Sequence, residues 1–78
     1  MEDQVAKAVR EFLSEFQFKK LSPRQWILKA NQILRKHRLD PAFATDFANR
    51  LVLEIDNLTD QLSPTKKRIL SSIIEHFR

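Results

Sequence analysis

Apolar residues recur along this chain at three- and four-residue spacing, the period of a helix that buries one face. Val5, Ala8, Val9, Phe12, Leu13 and Phe16 keep that spacing without a break, which predicts a first helix from about Asp3 to Phe18. Trp26, Ile27, Ala30, Ile33 and Leu34 form the buried stripe of a second, from Pro23 to about His37. Phe43, Phe47, Ala48, Leu51, Val52, Ile55 and Leu58 spread over a wider arc and predict a third, from Pro41 to about Gln61. A wide arc meets more than one neighbour, so this helix is expected to be central. Ile69, Leu70, Ile73, Ile74 and Phe77 turn inward on a fourth, from Pro64 to Phe77.

The helix starts carry their own marks. Ser22-Pro23, Asp40-Pro41 and Ser63-Pro64 each read as an N-cap followed by proline at the first helical position. The cap oxygen takes a free backbone N–H, and proline has none to satisfy there. A leucine precedes each cap. Leu21 and Trp26 have the spacing of a hydrophobic staple, and Gln25 stands at the capping-box position. The expected fold is all-α: one compact four-helix domain over residues 1–78, with short connections that favour antiparallel or steeply crossing neighbours.

Composition narrows the chemistry. The chain has 78 residues, no cysteine and no glycine. Disulfides cannot support so small a core, which leaves tight packing or oligomerisation. His37 and His76 lie far apart with no cysteine beside them, so neither a metal site nor a cofactor is expected. Without glycine there is no phosphate-cradling loop. Nucleophile–base pairs and pocketed carboxylate pairs are missing too, and the expectation is a non-enzymatic protein. No purely apolar run exceeds three residues, as in Leu51-Val52-Leu53, too short for a membrane span or a signal-peptide core. A cytoplasmic location is expected.

Charge is segregated. From Lys19 to Arg38 there are seven lysines and arginines and no acid, while Leu39 to Leu62 carries five acids and one arginine. Arg35, Lys36 and Arg38 suit the negative end of the second helix, and neighbouring helices can exchange surface ion pairs. Leu28 does not fit that account. It points nearly opposite the Trp26–Ala30–Ile33 stripe, on a strip with Arg24, Asn31, Arg35 and Arg38. A leucine among arginines makes these five the candidate partner-binding residues. Leu53 likewise points away from the third helix's arc, among Asp46, Asn49, Asn57 and Asp60. Phe18 falls off the first helix's stripe. Lys66-Lys67-Arg68 stand in the first turns of the fourth helix, against its dipole. With Thr65 they form a candidate anion-binding group at a helix N-terminus.

Three readings follow. The first is a small adaptor, regulator or inhibitor that docks a partner protein with an acidic surface through the basic face of helix two. The second is a nucleic-acid-binding module whose helix two and helix-four start contact DNA or RNA phosphates. The third is a structural piece of a larger protein. Two exposed leucines on oppositely charged faces also suit a homodimer or head-to-tail self-association. Gln25-Trp26-Ile27 resembles the Pro-Trp-Ile signature of the four-helix, nucleic-acid-binding PWI domains but lacks its proline, and no property is carried over from three residues. The exposed leucines favour the protein-docking reading, because a phosphate backbone has no use for them.

Overall fold

The computed structural model describes residues 3–39, 43–58 and 60–78. Four helices follow one another: α1 (Gln4–Phe18), α2 (Pro23–Lys36), α3 (Ala44–Asn57) and α4 (Pro64–Phe77). Among the described residues there is no strand.

The starts of α1, α2 and α4 follow from local chemistry. Asp3 caps α1, its Oδ1 accepting from Ala6 N–H at 2.7 Å. Ser22 caps α2 reciprocally: its Oγ accepts from Gln25 N–H at 3.2 Å, and Gln25 Oε1 accepts from Ser22 N–H at 3.0 Å. Leu21 packs against the core and lines the same cleft as Trp26, the placement a hydrophobic staple calls for. Ser63 Oγ accepts from Lys66 N–H at 3.2 Å, without reciprocity, because position N3 is a lysine. Asp40 and Pro41, the expected third start, lie outside the described residues, as does Glu2.

The third helix departs from its expected bounds. Its described part begins at Ala44, with Phe43 as an N-cap that makes no side-chain hydrogen bond. It stops at Asn57 rather than near Gln61. The Leu58 carbonyl then accepts from both Gln61 N–H and Leu62 N–H, at 2.8 and 3.2 Å. That turn brings Leu62 into the core at 6 % exposure. Phe43, expected on the apolar arc, is 40 % exposed.

The end of α2 is a Schellman turn. Arg38 N–H donates to Arg35 O at 3.0 Å, and Leu39 N–H to Leu34 O at 2.9 Å. The turn needs a left-handed residue after the cap. In a chain without glycine Arg38 takes that role, at φ 58°. Leu39 and Leu34 both join the core, the apolar contact that accompanies this motif.

A chain of aromatic rings ties the four helices together. Phe12 of α1 meets Trp26 of α2 at 5.5 Å and Phe47 of α3 at 5.8 Å, both edge-on. Phe16 lies 4.9 Å from Trp26, and Phe47 meets Phe77 of α4 at 5.9 Å. Edge-on pairs at these separations contribute roughly 0.5–1.5 kcal/mol each beyond their buried area. Trp26 is therefore core, as its stripe predicts. α3 makes the most extensive contacts, with α4 first and α1 second, which is the central position its wide arc implies. α1 and α4 each pack against both α2 and α3, whereas α2 and α3 barely touch. α2 and α3 therefore sit across the bundle from one another.

Candidate protein-docking surface

The cations of α2 divide into two sets. Those on the α1 side are engaged. Lys29 Nζ lies 3.2 Å from Glu15 Oε1, which also holds Lys19 at 3.1 Å. Lys36 Nζ and His37 Nε2 lie 3.1 and 3.2 Å from Glu11 Oε1. Partial burial pushes both carboxyls up. The hydrogen bonds and charges of their cationic partners outweigh it and hold them below the usual glutamate value. One oxygen of Glu15, Oε2, is buried with no hydrogen-bond partner, so its ion pairs carry the whole compensation for that desolvation.

The outer set is different. Arg24 and Arg35 are exposed, and neither has an ion pair among the described residues. Between them Leu28 stands 58 % exposed. Asn31 is half-buried at the edge of the strip. Arg38 is exposed, but its left-handed backbone takes it off the helical repeat that aligns the other four. Arg24, Leu28, Asn31 and Arg35 share one face because four-, three- and four-residue steps return to nearly the same angle. The helix ends with Arg35 and Lys36 in its last turn, where cations are favoured.

The cations at the start of α4 are also divided. Lys66 Nζ donates to the Gln17 carbonyl at 2.9 Å. That carbonyl lies in the last turn of α1, where intrahelical donors run out. The ammonium thus caps α1, and its stem is partly buried. Thr65 and Arg68 are exposed, and Lys67 is half-buried. Beside them a cleft of about 390 Å³ opens over Phe16, Leu21, Trp26 and Ile69, rimmed by Lys19, Lys20 and Lys66. Along the sequence, Lys19 and Lys20 belong to the basic block around α2, and only the fold brings them beside Lys66. Phe18, next to this rim, is 83 % exposed.

α3 presents the opposite character. Leu53 is 58 % exposed, with Asp46, Asn49 and Asn57 exposed around it. An open cleft of about 510 Å³ runs beside it, lined by Val5, Phe43, Asp46 and Leu53 among others. On one wall Arg50 pairs with Asp3 at 3.3 Å.

Among the described residues no group of three or more His, Cys, Asp or Glu is placed to hold a metal ion. Among them too, no helix is long and apolar enough to cross a membrane. Compared with protein-family models, with curated proteins and with solved structures, the chain finds no match.

Proposed function

We propose that this protein is a non-enzymatic interaction module that docks an acidic surface of a partner protein through the outer strip of α2. One observation carries the reading. Leu28 is exposed between two arginines that have no acid of their own among the described residues, while Lys29 and Lys36 of the same helix are engaged by Glu15 and Glu11. Arginine is enriched at interfaces and can grip a carboxylate with two parallel hydrogen bonds. An apolar side chain at the centre of such a strip gains once water is excluded from it. The reading places the protein in the cytoplasm, where a domain without cysteine needs no oxidising environment.

In-cell photo-crosslinking tests it. A photoreactive residue at position 28 is expected to yield protein adducts, and one at the exposed Ser71 of α4 is not. Arg24→Glu combined with Arg35→Glu should abolish the adducts at 28. A folded protein with no adduct at 28 overturns the reading.

A second reading is favoured by the cleft at the start of α4. Lys19, Lys20 and Lys66 converge there from segments far apart in sequence, beside exposed Phe18, as in surfaces that hold single-stranded nucleic acid. Anisotropy titrations with mixed-sequence duplex DNA and single-stranded RNA at low and moderate salt decide it. Binding that weakens steeply with salt and is lost in Lys19→Glu/Lys20→Glu supports nucleic acid. No binding at low salt removes it.

A further inference from the structure

We infer that the acidic surface taken by the α2 strip is the outer face of α3 on a second copy of this chain, so that copies join head to tail. The inference rests on the docking reading above and names its partner.

Three observations carry it. The first is charge. The outer α2 strip carries Arg24 and Arg35 and no acid, and the outer α3 face carries Asp46, with Asp60 in the turn beyond and Arg50 already paired with Asp3. The second is shape. Leu28 projects as an apolar knob, and the α3 face offers a cleft lined by Val5, Phe43 and Leu53 together with Asp46 and the Arg50–Asp3 pair. Leu53 is as exposed as Leu28. The third is register. Arg35 follows Leu28 by seven residues, and Asp46 precedes Leu53 by seven, each about 10 Å along its helix. An antiparallel crossing that sets Leu28 against Leu53 therefore brings Arg35 to Asp46. Arg24, four residues before Leu28, then meets Asn57, four residues after Leu53.

Topology decides the form of the assembly. α2 and α3 lie across the bundle from one another, so their outer faces point away from each other. Two copies cannot satisfy both contacts at once in a closed two-fold dimer. Such a contact is heterologous and propagates. One helical strip laid on another covers less than the roughly 800 Å² per partner of a standard interface. Association is therefore weak, rises with concentration and weakens with salt.

Sedimentation velocity over a wide dilution series at low salt tests it with three proteins. The natural chain is expected to grow in average mass past the dimer as concentration rises, and to return towards 9.3 kDa in high salt. Leu28→Glu and Leu53→Glu, both at exposed positions, keep the fold, as circular dichroism should verify, and each alone stays monomeric. Mixed in equal amounts, they pair the intact α3 face of the first with the intact α2 strip of the second. A species of twice the monomer mass that grows no further is the expected product. Assembly that survives either substitution overturns the inference, as does a mixture that stays monomeric. A natural chain that is monomeric throughout also overturns self-association. It leaves docking on a foreign protein to the position-28 crosslink, whose failure removes both.

Discussion

Arg38 occupies a left-handed backbone position, φ 58°, because the Schellman turn that ends α2 requires one. That conformation costs an L-residue roughly 1–2 kcal/mol, which glycine does not incur. Glycine in turn gives up roughly 0.5–1 kcal/mol through the greater freedom of its unfolded backbone. Arg38→Gly should therefore stabilise the domain by about 0.5–1 kcal/mol. For a domain of this size that is a rise in melting temperature of roughly 2–8 °C. The hydrogen bonds from Arg38 and Leu39 N–H to Arg35 and Leu34 O involve backbone alone and persist in the variant. Thermal and urea unfolding can be followed by the fluorescence of Trp26, which is packed against Phe12 and Phe16. Arg38→Ala is the control, since it removes the charge and keeps the Cβ. A glycine variant no more stable than the natural chain refutes the backbone argument. Equal gains from alanine and glycine assign the effect to the charge instead.

Two further predictions concern charge. Lys66→Met should cost about 0.5–1.5 kcal/mol, because the Gln17 carbonyl loses its ammonium donor. Lys67→Glu should add roughly 0.3–1 kcal/mol by reversing a cation in the first turns of α4, and urea midpoints that move in the same direction for both would contradict this division. Acid titration tests α1. Glu11 and Glu15 are held below the usual 4.5, so in the unfolded chain they take up protons more readily. The stability they contribute is whole above about pH 4.5 and is lost as pH falls through their lower folded values. Glu11→Gln/Glu15→Gln should flatten the loss of stability between neutral and strongly acid pH, and an equally steep loss in that variant refutes the assignment.

What the sequence reveals and conceals has local physical reasons. The starts of α2 and α4 are legible because Ser-Pro states both cap and first residue. The core of α1 is legible because every inward position is apolar. The end of α3 is not. Residues 57–62 contain neither glycine nor proline, and the chain leaves the helix because Leu62 must reach the core ahead of Ser63. The apolar period of α3 continues through Leu58, and nothing local marks the stop. The left-handed residue at Arg38 is hidden for a related reason: the usual glycine marker is absent. Of the candidate surface, Leu28 and Leu53 are legible from helical angle alone. The division of the cations is not, because α1 selects Lys29, Lys36 and His37 for Glu15 and Glu11 through packing that segment charges cannot express. Lys66 is the clearest case. Its place in a basic run suggests an anion, and tertiary structure gives it the carbonyl end of α1.

Amide-resolved NMR over a dilution series at low salt tests the central claim, that the outward faces of α2 and α3 join copies of this chain. The expected result is that concentration-dependent shifts cluster between Arg24 and Arg35 and between Asp46 and Asn57, while the outer faces of α1 and α4 stay unchanged. Shifts centred instead on residues 18–20 and 63–68, or none at any concentration, would contradict it.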